Sequence, residues 1–260
     1  MAFESADAFK TFAGGVKHGR RFIYEEGVQK FLDEVIATSV SRTQTLKAGR
    51  ILWRAQLGCG SRIQDQGKPE ELEMDAPYFE DRMKPIPAVV KDGRANPRGI
   101  ACLYLATTLT TAGSELRPWL GAPISVSEFQ TKRDLNLVNC TLDKKRWFKA
   151  FVPTIPGFVP WEPEEYERVV WGDIAEAMSI PHNPDDASLN YVPTQIISER
   201  LRHGGVDGVA YRSLLCKEGF NIVLFDIKDA DPINFTLYEA EEVSYRFTQR
   251  DNPYFAKRES

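Results

Sequence analysis

Histidine and cysteine are scarce in this chain. Its 260 residues hold three histidines and four cysteines, and none of them stands at ligand spacing from another. A tetrahedral zinc site needs clustered thiolates and imidazoles, so the scattered His18, His182 and His203, with Cys59, Cys102, Cys140 and Cys216, argue against a metal centre. Single cysteines behind no charged-then-apolar leader fit reduced thiols in a cytosol rather than a disulfide framework. Long apolar runs are also missing, and none approaches the roughly 20 residues that span a bilayer. Neither sign of charge is in excess. A net charge of −4 and a pI near 5.6 give no field that would gather a polyanion, so neither a membrane nor a directly bound nucleic acid is expected.

Three familiar catalytic signatures are absent too. Gly58-Cys-Gly-Ser-Arg-Ile63 lacks the third glycine of a dinucleotide fingerprint and leads into polar sequence instead of a helix. There is no Gly-Lys-Ser/Thr phosphate loop, and Ser213 lies in Tyr211-Arg-Ser-Leu-Leu, not on a nucleophile elbow. Hydride transfer, ATP hydrolysis and serine-hydrolase chemistry all lose ground.

What is present is an ordinary globular composition, 42% hydrophobic and 27% charged, enough for one sizeable core. We expect an N-terminal arm and helix over 1–45, a catalytic domain over 46–230, and a strand and charged tail over 231–260 packed on that domain. Residues 1–27 carry Phe3, Phe9, Phe12, Phe22 and Tyr24 without clear periodicity, which reads as a loose arm docking aromatics. Val28, Phe31, Leu32, Val35 and Ile36 recur at helical spacing to about Thr38. A short strand at Ile51–Ala55 precedes a long mixed-charge loop from Gly58 to Pro87, of the kind that often covers a site. Ile124–Phe129 and Leu135–Val138 alternate as antiparallel strands joined by a polar turn, and Pro153, Pro156 and Pro160 forbid regular structure. A helix is signalled over Glu164–Met178 and another over Thr194–His203, started by Pro193 and stopped by Gly204-Gly205. Strands at Gly208–Tyr211, Asn221–Phe225 and Phe235–Tyr238 follow, which gives an α+β fold with a mixed, mainly antiparallel sheet and flanking helices.

The most informative stretch runs from Asp92-Gly93-Arg94 through Asn96-Pro97 and Gly99 into the apolar strand Ile100–Ala106. It then enters a helix over Thr110–Arg117 that carries Glu115. This stretch belongs to an ordered set: Trp53-Arg54-Ala55, Arg82-Met83, Gly93-Arg94-x-Asn96-Pro97-x-Gly99, Leu103-Tyr104-Leu105-Ala106 and Thr111-Ala112-x-x-Glu115. Tyr191-x-x-Thr194-Gln195, Asp207-Gly208-x-x-Tyr211-x-Ser213 and Asn221-x-x-Leu224-Phe225 complete it. Over about residues 50 to 226 the set closely resembles the RES domain family. The resemblance implies a fold similar to ADP-ribosyltransferase toxins, an activity that consumes NAD by phosphorolysis, hydrolysis or ADP-ribosyl transfer, and in many members a toxin role with an antitoxin partner. It further implies a catalytic set of Arg54, Tyr104, Glu115 and Ser213, with Arg94 in the adjoining basic loop. NAD is then a substrate and no cofactor is required, with inorganic phosphate a possible co-substrate.

The residue types suit that chemistry. Cleaving the bond between nicotinamide and ribose develops positive charge on the sugar, which a carboxylate such as Glu115 stabilises most in the transition state; the plain alternative is an exposed helix carboxylate. Arg54, between apolar neighbours, offers the fixed fork a pyrophosphate needs, or is a strand-edge cation facing water. Arg94 is either a solvated loop residue or a phosphate ligand. Tyr104 fits core filling and stacking equally, since a buried tyrosine seeks a partner for its hydroxyl. Ser213 orients ribose or phosphate, or simply ends a strand. Asn221 reads as a local hydrogen-bonding residue with some prospect of ligand contact. Thr194-Gln195 looks like a capped helix start, with the histidines in structural or surface roles. The oligomeric state is open, and a homo-oligomer is compatible with all of this.

Overall fold

A computed structural model describes residues 3–64, 72–142, 162–182, 184–245, 247–249 and 251, with the side chains of 184–187 also left aside. Its first elements are α1 (Ala8–His18), α2 (Glu26–Ser39), β1 (Thr43–Leu46), β2 (Ile51–Leu57), β3 (Gly60–Gln64), β4 (Leu72–Ala76) and α3 (Glu80–Met83). Then come β5 (Leu103–Ala106), α4 (Leu109–Ser114), β6 (Pro123–Thr131), β7 (Leu135–Asn139), α5 (Pro163–Ser179) and α6 (Pro184–His203). The last are β8 (Gly208–Arg212), β9 (Phe220–Leu224), β10 (Ala230–Pro232) and β11 (Thr236–Glu239). The stretch holding Pro153, Pro156 and Pro160 lies outside the described residues.

Nine strands form one sheet in the order β1-β7-β8-β9-β5-β2-β6-β10, with β11 also paired to β6. β7 and β8 run parallel, and the other pairs are antiparallel. The fold is therefore α+β with a mixed, mainly antiparallel sheet. Alternation along the strands divides the apolar side chains between two cores. Val138, Val209 and Val223 face α1, α2, α5 and α6, packing with Phe31, Trp171, Ile174 and Leu201. Leu103, Leu105, Leu137, Ile222 and Leu224 face the other way, toward Leu52, Met83 and Phe129.

Four expectations are corrected. The N-terminal aromatics are not on a loose arm: α1 carries Phe9, Phe12 and Val16 on one buried stripe, and Phe12 stacks on Phe31 with ring centroids 4.4 Å apart. Phe22 alone among the arm's phenylalanines stands free in solvent. The Gly58–Pro87 stretch is not a bare loop, since β3 and β4 pair antiparallel within it and α3 follows. β6 and β7 are strands but not a hairpin, because β6 pairs β2, β10 and β11 while β7 lies between β1 and β8. Finally, α6 begins at Pro184 and Pro193 sits inside it, so Thr194 and Gln195 are mid-helix. Gly205, at φ 86°, does end the helix as expected.

Because α1 shares the core of the sheet and the long helices, Phe12→Ala should cost about 3–5 kcal/mol of stability. Urea unfolding measures this; a loosely docked arm would leave the midpoint almost unmoved.

Candidate active site

β5 is laddered to β9 along its length, but it meets β2 at a single pair, Trp53 with Ala106. The sheet is thus nearly split between its two halves, and backbone groups at the split need other partners. The Arg54 side chain supplies one: its Nη1 donates to the Tyr104 carbonyl at 2.9 Å. Its Nε is buried with no partner. No carboxylate lies within ion-pair distance among the described residues, and burial pulls the guanidinium down to about 10 from 12.5. A largely buried cation without a paired carboxylate raises the local potential and favours negative charge beside it.

Glu115 is placed by the end of α4. Thr108 caps that helix through its side chain, accepting from the Thr111 N–H at 3.1 Å, and Glu115 sits just past the last turn, its N–H bonded to the Thr111 carbonyl. The sequence put this carboxylate within a helix running to Arg117; it is instead the residue at which the helix ends. Two donors far along the chain, one just past β8 and one on β9, grip one of its oxygens. Ser213 Oγ donates to Oε1 at 2.7 Å, and Asn221 Nδ2 donates to the same atom at 2.7 Å. Ser213 Oγ in turn accepts the N–H groups of Leu215 and Cys216 at 3.1 and 3.0 Å. Its hydrogen-bonding capacity is thereby spent on orienting Glu115. The second carboxylate oxygen has no protein partner among the described residues.

The Asp92–Gly99 turn is held by buried polar side chains. The Tyr104 hydroxyl donates to Asn96 Oδ1 at 2.7 Å and accepts the Ala95 N–H at 3.0 Å. Gln195 Nε2, from α6, donates to the carbonyls of Gly93 and Asn96. Gly93 has no room for a side chain, since a Cβ there would meet the Tyr104 hydroxyl at 2.3 Å. Burial pushes the Tyr104 phenol well above the usual tyrosine range, so it remains a neutral donor. Arg94, carried by this turn, donates to the Ile180 carbonyl and lies over the Tyr191 ring, 5.6 Å from its centroid.

These parts enclose one cleft of about 350 Å³. Arg54, Arg94, Tyr104, Glu115 and Asn221 all line it, and Ser213 stands behind it on Glu115. The wall also includes Trp53, Arg117, His182, Tyr191 and Tyr211, to which sequence reasoning assigns no site role. Trp53, Tyr191 and Tyr211 had a legible signal as members of the ordered motif set, and Tyr211 faces Asn221 across the β8–β9 ladder; His182 had none. Among the described residues of the Gly58–Pro87 stretch, expected to cover a site, none lines this cleft. The cleft carries three guanidiniums against two carboxylates, Asp92 and Glu115, a balance that favours an anionic ligand. Among the described residues no group of three or more His, Cys, Asp or Glu could hold a metal ion, and no helix is long and apolar enough to cross a membrane. The four cysteines are free, and burial raises the Cys102 and Cys140 thiols to about 11 and 12.

No curated protein matches the chain significantly. Among solved structures, it is similar to a chain of the M. tuberculosis MbcT-MbcA toxin-antitoxin complex, at 12% identity and a TM-score of 0.40, covering 80% of this chain and 93% of that one. The family model of the RES domain matches residues 69–248, a stretch that includes Arg94, Tyr104, Glu115, Ser213 and Asn221 and begins after Arg54. With most of its length so matched, the chain belongs to the RES domain family.

Proposed function

We propose that this protein is an NAD-degrading enzyme that cleaves the bond between nicotinamide and ribose, acting in the cytoplasm as a toxin or toxin-like protein held in check by an antitoxin. The observation that carries this reading is the meeting of Glu115 and Arg54, 61 positions apart in the sequence, at one cleft. The two residues supply what the reaction needs at opposite ends of the substrate. Arg54, which lines the cleft with Nη1 spent on the Tyr104 carbonyl, offers its other Nη to the pyrophosphate. Glu115, oriented through Oε1, presents its other oxygen to the ribose. As the C1′–N bond breaks, its electron pair leaves with neutral nicotinamide, and the carboxylate stabilises the cation left on the sugar. Water or inorganic phosphate then attacks C1′. Water loses a proton to give ADP-ribose, and phosphate gives the corresponding 1-phosphate.

Within this scheme Ser213 and Asn221 are positioning residues for Glu115, while Tyr104 holds the turn that carries Arg94 and offers its ring to the cleft. NAD is consumed and no resident cofactor is needed. The domain plan extends to a site built by residues 46–230, with α1 and α2 completing its core.

Incubating the purified protein with NAD, with and without phosphate, should release nicotinamide together with ADP-ribose or its 1-phosphate. NAD left intact under both conditions would falsify the reading, and a labelled protein target would redirect it to ADP-ribosyl transfer. Glu115→Gln keeps acceptors for Ser213 and Asn221 but removes the charge, so kcat should fall about 10²–10³-fold with the fold retained. Arg54 is expected to bind as a cation. Its value near 10 makes KM for NAD flat from pH 7 to 9 and rising as pH climbs through about 10. Arg54→Met removes a costly buried charge but also leaves the Tyr104 carbonyl without its partner, two opposing effects of about 1–3 kcal/mol, so the stability of the unliganded protein should change by less than about 1 kcal/mol while NAD binding weakens. Chemical denaturation and KM measured on the same preparation check both expectations.

A further inference from the structure

Arg117 is the only non-glycine residue at positive φ among those described, at 49°. This backbone region favours glycine, and a side-chain-bearing residue pays for occupying it. Arg117 also precedes Pro118, which pushes a residue toward extended backbone. Nothing in the packing requires arginine here, since the residue is exposed. Among the described residues no carboxylate lies within ion-pair distance of it, and its N–H simply closes the turn onto the Ser114 carbonyl. The side chain nevertheless lines the cleft, two residues beyond Glu115. Strain held at a site without a local structural return points to a ligand-directed role.

Of the three guanidiniums that line the cleft, Arg54 and Arg94 are half-buried while Arg117 is exposed, so a ligand entering from solvent meets Arg117 at the mouth. Arg54 occupies the floor, with one Nη spent on the Tyr104 carbonyl, and Arg94 is committed to the Ile180 carbonyl and the Tyr191 ring. Among the described residues, Arg117 alone of the three guanidiniums has no side-chain partner and keeps its full fork of donors for a ligand.

We infer that Arg117 is a substrate-binding residue, a rim arginine that grips the pyrophosphate of NAD from the solvent side while Arg54 holds it from below. This rests on the NAD-cleaving reading above and adds to it the residue that sets affinity for the diphosphate. It also explains the backbone: the left-handed turn at the end of α4 is what directs residue 117 back over the mouth.

Arg117→Gly relieves the φ constraint and removes the side chain. The expected result is a Tm no lower than wild type, with KM for NAD and the calorimetric Kd for ADP each raised about 5–10-fold and kcat lowered less than twofold. Arg117→Asn, a residue type that tolerates positive φ, should match it in affinity, and Arg117→Lys should retain most of the binding. Raising ionic strength should weaken ADP binding more in wild type than in R117G. If R117G and R117N bind ADP and NAD within twofold of wild type, Arg117 is not a ligand, while wild-type turnover of NAD keeps the functional reading. A wild type that leaves NAD intact but loses ADP affinity on R117G overturns the cleavage reading and keeps the rim arginine. A wild type that neither turns over NAD nor binds ADP overturns both. Should R117G fail to fold, R117N and R117K decide the matter: equal affinities for ADP overturn the inference, and loss in R117N alone supports it.

Discussion

The site depends on an interruption in the sheet. Where β5 would continue its ladder with β2, the two strands share one pair, and a side chain does the work of the missing backbone bond: Arg54 reaches the Tyr104 carbonyl. A closed ladder there would leave no cleft and would give the Arg54 guanidinium no opening to ligand. The split also lets the end of α4 approach from one side and the Asp92–Gly99 turn from the other, so that an acid and two further cations surround the same space. What the interruption loses in strand pairing is offset elsewhere by dense pairing of the remaining strands and by two well-segregated cores.

Polar groups buried around the cleft are satisfied in a graded way. The turn that carries Arg94 is fully bonded, through Tyr104, Asn96 and Gln195, and Gly93 cannot grow without striking that network. Glu115 is gripped on one oxygen only. Arg54 keeps one nitrogen without a partner. Rigidity therefore surrounds the atoms left open, which is the arrangement that lets a site meet charge without reorganising. Ser213 and Tyr104 belong to the rigid part by their hydroxyl bonds, although residue type alone made them equally good candidates for touching ligand.

Much of this was legible in the sequence where periodicity was strong. β2, β5, β6, β8, β9, α2 and α5 stand close to where alternation and helical spacing put them. α1 was missed because Phe3, Phe22 and Tyr24 lie outside it and blur the Phe9, Phe12, Val16 spacing that defines its buried stripe. The β3–β4 hairpin is polar and exposed on most positions, so no alternation marks it. In α6 a proline inside the helix carried the same signal as a proline at a helix start. For the site, the ordered motifs brought together Arg54, Arg94, Tyr104, Glu115, Ser213 and Asn221. Their division into residues that face the cleft and residues that hold others in place is a matter of hydrogen-bond partners far off in the chain, which spacing does not encode. Arg117 was invisible for a related reason: its signal is a backbone angle.

The two clamps on Glu115 have a temporal consequence. They come from residues 98 and 106 positions further along the chain, and β9, which carries one of them, must insert between β8 and β5. During synthesis the carboxylate emerges long before anything can fix its orientation, and the sheet cannot close until the ribosome has passed Asn221. The orientation of Glu115 is therefore acquired only with the late, long-range closure of the sheet, and a chain in which β9 has not yet inserted presents this carboxylate unclamped.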